Sequence, residues 1–151
     1  MASLVTPSPF IIEVWTHLPA HRGLGKSLSY RHDQALSPGQ LVRITVGRQT
    51  QLGVVSECRT QLPEGSTLQA HALKTLTEVL GHCPPLGADW MRLIEFTAQY
   101  YRRTPGEVAL MALPALLKEA TQDQLAKRLK RLHGQRKAEA TPPANPAKAL
   151  N

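Results

Sequence analysis

Two hydrophobic rhythms divide this chain. Up to about residue 80 the apolar positions come in short clusters or alternate with polar ones, as in half-buried strands. From Ala88 onward they recur at three and four residues, as on a helix that rests on a core. Phe10-Ile11-Ile12-Glu13-Val14-Trp15 is β-branched, follows prolines 7 and 9, and predicts a first strand. After a stretch containing Gly, Pro and His, Ser27-Leu28-Ser29-Tyr30-Arg31 alternates as a second. Ser37-Pro38-Gly39 fits a type II turn, with Pro fixing φ and Gly accepting a positive one. Gln40 to Val46 carries the clearest alternation, with Val42, Ile44 and Val46 on one face and Arg43 and Thr45 on the other. Gly47 to Gln51 predicts a polar connection, and Leu52-Gly53-Val54-Val55-Ser56 returns, giving a hairpin with a basic tip. Ala72 to Leu80 is a weaker strand candidate. About five or six short strands separated by turn signals predict a small barrel or sandwich.

The second rhythm predicts helices. From Ala88 to Tyr101 the stripe is Trp90, Leu93, Ile94 and Tyr101. Thr104-Pro105-Gly106-Glu107 is a capping-box signature with Pro at the first helical position. The helix it opens is expected to be apolar on Val108, Leu110, Met111 and Leu113, and to kink or end at Pro114. Thr121-Gln122-Asp123-Gln124 repeats the capping pattern. The helix that follows has Leu125, Leu129 and Leu132 on one face, basic residues around the rest, and Gly134 as its expected stop. The fold class is therefore α+β, a small β-barrel or sandwich followed by two or three helices. The divisions expected are a globular domain over residues 8–118, a basic helix over 119–134 and a disordered linker or tail over 135–151. That last stretch has three prolines, five alanines and almost no apolar bulk.

Charge adds a bias toward polyanions. Residues 1–100 hold 8 Lys/Arg against 7 Asp/Glu, a balance of +1, and residues 101–151 hold 10 against 4, a balance of +6. Basic charge gathered in one segment suits nucleic acid, although a solvated helical face has the same composition. No apolar run reaches the ~20 residues that cross a bilayer, and the first nine residues lack the basic start of a secretory leader. Cys58 and Cys83 are unclustered, as expected of two reduced thiols in a cytoplasmic protein.

Candidate chemistry is thin. Gly23-Leu24-Gly25-Lys26-Ser27 has the end of a phosphate-binding loop, but Ala20 stands where the opening glycine belongs. A strand follows it, whereas the mechanism requires a helix N-terminus. His17 and His21 are separated by Pro19, and His82-Cys83 has no second Cys–His pair, so no metal site is expected. No nucleophile elbow or spaced Ser, His and acid set is present. The features suited to recognition are the basic helix Gln124–Leu132, which can lie on phosphates or simply face solvent, and the hairpin tip Gly47-Arg48. There a glycine admits close backbone approach and an arginine can hold phosphate bidentately.

Several stretches together resemble the N-terminal region of the primosomal replication-restart helicase family, PriA. They are Gly39-Gln40-Leu41-Val42-Arg43-Ile44-Thr45-Val46-Gly47-Arg48, Gly53-Val54-Val55, and Leu73-Lys74 leading to Glu78-Val79-Leu80. The most specific is Ala98-Gln99-Tyr100-Tyr101-Arg102-Arg103-Thr104-Pro105-Gly106-Glu107-Val108, ending in Ala112-Leu113-Pro114. The resemblance spans roughly residues 10–118. It implies a 3′ DNA-binding domain that captures the 3′ end of the leading strand at an abandoned fork. DNA is the implied partner, with other primosome proteins and single-strand-binding protein beside it, in a cytoplasmic, nucleoid-associated setting. The resemblance also implies that the helicase, its ATP site and its zinc-binding insertion lie beyond Asn151, so no enzyme activity and no cofactor are expected on these residues.

The family pocket carries an aromatic, an aspartate and a tyrosine on the second strand, the glycine of the basic hairpin, and a later lysine. Carried over, Tyr30, Gly47 and Lys74 match, while the aromatic position falls on Leu28 and the aspartate position on Ser29. A carboxylate accepts a charge-assisted bond from a 3′-hydroxyl that a serine gives only in neutral form. Leucine loses base stacking of ~1–3 kcal/mol. Arg43, Arg48 and Lys74 are expected to keep general DNA affinity.

Overall fold

The computed structural model describes residues 9–18, 26–62 and 72–139. The chain divides into two compact units, Met1–Glu119 and Ala120–Asn151. In the first, β1 (Phe10–Trp15), β2 (Leu28–His32), β3 (Leu41–Val46), β4 (Gln49–Arg59) and β5 (Glu78–Val79) form one antiparallel sheet, ordered β2-β1-β4-β3-β5. Three helices follow, α1 (Ala88–Tyr100), α2 (Pro105–Ala112) and α3 (Ala115–Glu119). The second unit contains α4 (Gln122–Glu139). The class is α+β as expected, with five strands and four helices among the described residues.

The sheet curls because β4 is long enough to serve two partners. Its first half pairs β3 from Val46↔Gln49 to Leu41↔Val54, and its second half pairs β1 from Trp15↔Val54 to Ile11↔Arg59. The register slips between Glu13 and Val14, where Ser56 is the extra residue on β4 and donates its hydroxyl to the Glu13 carbonyl at 3.1 Å. Such a bulge bends and twists its strand. The segment around residues 74–80 then bridges the two edges. Arg31 of β2 exchanges backbone bonds with Lys74 and Leu76 (2.9 and 3.0 Å), while Thr77 and Leu80 donate to Arg43 and Leu41 of β3 (3.1 and 2.9 Å). Ile12, Val14, Tyr30, Val42, Ile44, Val55 and Leu76 fill the concave side. The alternation of the third strand is as expected, with Val42 and Ile44 fully buried and Val46 packed at the margin.

Turn chemistry follows the sequence closely. Gly39 has φ +86° and Gln40 N–H bonds the Ser37 carbonyl at 3.1 Å, the type II turn expected there. The β3–β4 connection is shorter than expected. Only Gly47 and Arg48 lie outside the strands, and Gln49, Thr50 and Gln51 already pair with β3. Gly47 at φ +63° followed by a residue of negative φ is the pattern of a type II′ turn, whose twist suits a two-residue hairpin and lets pairing run to the tip.

The helices depart from the expected stripes in one direction. On α1 the buried residues are Met91, Ile94 and Ala98, while Leu93 and Tyr101 are 59% and 67% exposed and Trp90 is half-buried. On α2 the buried face is Pro105, Gly106 and Ala109, whereas Met111 points to solvent and Val108 and Leu110 are half-buried. Small residues are turned inward because α2 comes very close to the end of β1. A Cβ at Gly106 would overlap the Thr16 carbonyl and sit 2.6 Å from its nitrogen. The capping box forms as expected. Glu107 N–H donates to Thr104 Oγ1 at 3.3 Å, and Glu107 Oε2 accepts from Thr104 N–H at 3.1 Å.

α2 ends at Ala112, before Pro114, and a short α3 not foreseen follows it. The second capping pattern also forms, between Thr121 and Gln124. Gly134, however, does not stop α4, which runs on to Glu139. One glycine costs a helix only ~1 kcal/mol, and the Gln, Arg, Lys and Ala that follow are good helix formers. Of the expected tail, residues 140–151 lie outside the described residues, as do Gly23–Gly25 of the abbreviated phosphate loop.

Gly106→Ala is expected to lower unfolding free energy by at least ~2 kcal/mol through overpacking against Thr16. Gly81→Ala, where a Cβ meets nothing within 4 Å, is expected to be near neutral. Urea denaturation of both variants checks this.

Candidate nucleic-acid interface

The antiparallel register brings several expected site residues to one end of the curled sheet. β1 arrives there at Trp15 and Thr16, and β2 starts there at Leu28, which pairs with Val14. The β3–β4 tip, Gly47-Arg48, projects beyond that end, because β4 pairs β1 only from Val54 onward. Lys74 comes in beside it, since its carbonyl accepts from Arg31 of β2 and the chain then runs down β3 through Thr77. Thr77 Oγ1 lies 3.0 Å from Thr45 Oγ1. The mouth so formed collects Leu28, Gly47, Arg48 and Lys74 from three separate stretches of sequence.

Each of these residues has a defined setting. Gly47 needs its positive φ rather than room, since a Cβ there meets nothing within 4 Å. Its backbone is therefore open to a ligand. Arg48 and Lys74 are exposed cations on the rim. Leu28 is half-buried against the core cluster. Tyr30 lies inside it at 4% exposure, and its hydroxyl donates to the Thr45 carbonyl at 3.0 Å, tying β2 to β3 across the interior. Burial raises its phenol pKa above the ordinary value. Tyr30 thus holds the mouth in shape and has no free ring face to offer.

Two expected residues lie elsewhere. Arg43 faces outward from β3, 3.6 Å from Glu78 and bonded to the Lys118 carbonyl at 3.3 Å, so it ties β3 to β5 and α3. Ser29 points to the opposite sheet face from Leu28 and Tyr30, and its hydroxyl donates to Glu13 Oε1 at 2.6 Å. Ser27 donates to Glu13 Oε2, also at 2.6 Å. The position next to Ser29 therefore does carry a carboxylate, supplied by the neighbouring strand through the Glu13↔Ser29 cross-strand pair. The only hint of this in the sequence is that Glu13 is the polar residue inside an otherwise apolar strand.

Beyond the mouth, α1 presents rings to solvent. Phe96 and Tyr100 stack at 6.2 Å, Tyr100 meets Tyr101 edge-on at 5.0 Å, and Leu93 is exposed beside them. On α4, Lys127, Arg128, Lys130 and Arg131 include no buried side chain. Cys83 is buried, which raises its thiol pKa. Among the described residues no three His, Cys, Asp or Glu side chains are placed to share a metal ion, and no helix is long and apolar enough to cross a membrane.

The mouth of this small curled sheet joins a glycine-turned basic hairpin to cations on the rim, an arrangement suited to a polyanion. Residues 13–114, about two thirds of the chain, match the family model described as the 3′ DNA-binding domain of PriA. The chain belongs to that family, which makes it a DNA-binding module of the primosomal replication-restart apparatus.

Tyr30→Phe is expected to cost about 1 kcal/mol, the net worth of one buried hydrogen bond. Because burial raises the phenol pKa, the tyrosine's contribution is fully present below the unfolded value near 10. It is lost as pH rises above that value. The gap between wild type and Tyr30→Phe should therefore narrow above about pH 10, read by denaturation across pH.

Proposed function

We propose that this module captures the 3′ terminus of a DNA strand at a stalled or abandoned fork, with the mouth of the sheet as its receptor. The observation that carries this reading is the gathering of Leu28, Gly47, Arg48 and Lys74 at one sheet end, over a core pinned by Tyr30. The cations supply affinity through phosphates, and the mouth supplies end selection. Backbone at Gly47 is free for close approach by a terminal sugar.

Leu28 offers apolar contact rather than stacking, so the module depends more on polar recognition of the terminus. That recognition falls to the Lys74 ammonium and to the open backbone of Gly47, both at the mouth. Glu13, held by Ser27 and Ser29 on the opposite sheet face, takes no part in it. In the intact family protein this capture positions a helicase carried further along the polypeptide. The exposed rings of α1 are available to protein partners of the same assembly, including single-strand-binding protein.

The test is fluorescence-anisotropy titration of one oligonucleotide ending in a 3′-hydroxyl and the same one ending in a 3′-phosphate, across a salt series. Tighter binding to the hydroxyl, with affinity falling steeply as salt rises, is expected for wild type. Lys74→Gln is expected to weaken binding and to shrink the salt slope by about 0.7, the share of one phosphate on a single strand. Equal binding of both oligonucleotides by wild type rules out end capture, and salt-insensitive binding points to an apolar protein interface instead.

A further inference from the structure

We propose a second DNA contact, a cradle for backbone phosphates in the cleft between the C-terminal half of α1 and the mouth end of β1. The proposal rests on the DNA-binding reading above and adds a site outside the mouth. The cleft has a volume of about 550 Å³ and is walled by Trp15. Lys26, Arg102 and Arg103 converge on it with Gln99, and Glu95 is its one carboxylate. Arg103 lies 3.9 Å from Glu107, outside the cleft, and that carboxylate is also engaged by Thr104 at the start of α2. Three cations against one carboxylate make the cleft a receptor for anions.

The backbone supplies a second reason. α1 ends in a Schellman motif, with Arg103 N–H bonding the Ala98 carbonyl at 2.8 Å and Arg102 N–H bonding the Gln99 carbonyl at 3.3 Å. The motif puts Arg102 at φ +53°, and it is the one non-glycine residue with positive φ among those described. Glycine takes that conformation freely, whereas a side chain there is strained. An arginine at this point weakens the turn, and its guanidinium lines the cleft. Guanidinium groups suit phosphate because their N–H donors match its oxygens in pairs.

Location joins the cradle to the mouth. Lys26 stands two residues before Leu28, and Trp15 lies at the end of β1 that borders the mouth. A strand whose terminus enters the mouth has its backbone within reach of Lys26, Arg102 and Arg103.

Arg102→Gly separates a structural role from a binding one, since it relieves the strained φ while removing the charge. Unfolding temperature is expected to hold or rise. Affinity for a single-stranded oligonucleotide is expected to fall about fivefold, and the slope of log K against log salt to shrink by about 0.7, the share of one phosphate that is no longer neutralised. Lys26→Gln added to Arg102→Gly should repeat both changes, equally on 3′-hydroxyl and 3′-phosphate oligonucleotides. Unchanged affinity and slope in both variants, with wild type binding DNA, overturn the cradle and leave the DNA-binding reading standing. Absence of DNA binding by wild type overturns both.

Discussion

The docking of α2 on the end of β1 is the contact on which the rest of this architecture depends. Gly106 meets the Thr16 backbone so closely that no side chain fits between them, and Thr16 is itself fully buried, its hydroxyl donating to the Leu52 carbonyl at 2.9 Å. Helix start, strand end and the β4 strand behind them are thereby fixed at one point. The capping box of Thr104 and Glu107 satisfies the N–H groups that such a tight approach leaves without helical partners. The Schellman turn just before it sets the angle at which α1 hands over to α2. A helix seated this close needs small residues beneath it, so Pro105, Gly106 and Ala109 face inward on α2, and Ala98 does so on α1.

That choice has a consequence for the surface. When small residues make the contact, large apolar ones are left outside, and Leu93, Phe96, Tyr100, Tyr101 and Met111 are all more than half exposed. Exposed rings on a rigid helix have little reason to be there for stability alone. Covalent distance along the chain is short here: the ring face, the strained Arg102 and the capping box follow one another between residues 93 and 107. One segment thus serves docking, cation placement and an apolar outer face at the same time.

The mouth of the sheet is built by a different economy. A two-residue turn keeps β3 and β4 paired to their tips, so Gly47 and Arg48 are held on a stiff hairpin rather than on a loose loop. The segment through Lys74 and Leu76 ties β2 to β3 by backbone bonds, and Tyr30 ties the same two strands by its hydroxyl. Rigid placement of a few polar groups suits recognition of a polar ligand, because each misplaced donor or acceptor leaves a desolvated partner unpaired. On the opposite sheet face the carboxylate of Glu13 is likewise fixed, by the hydroxyls of Ser27 and Ser29.

Local chemistry determined much of this in the sequence itself. The alternation from Val42 to Val46, the Pro38-Gly39 turn, both capping boxes and the stop before Pro114 depend on residues within four positions of one another, and each formed as read. The small set of motif residues from Ala98 to Pro114 also pointed to the family, because that spacing reflects a tight helix–strand contact. What the tertiary structure decided were matters of distance and facing. Which side of α1 and α2 is buried followed from the space under them, so hydrophobicity pointed to Leu93 and Met111 where size selected Ala98 and Gly106. Gly134 was passed over because its neighbours carry the helix. Ser29, Glu13, Lys26 and Arg102 acquire their settings only across strands or between strand and helix, from positions far apart in the chain. Pairing register and packing room are properties of two segments together, and no single stretch of sequence contains them.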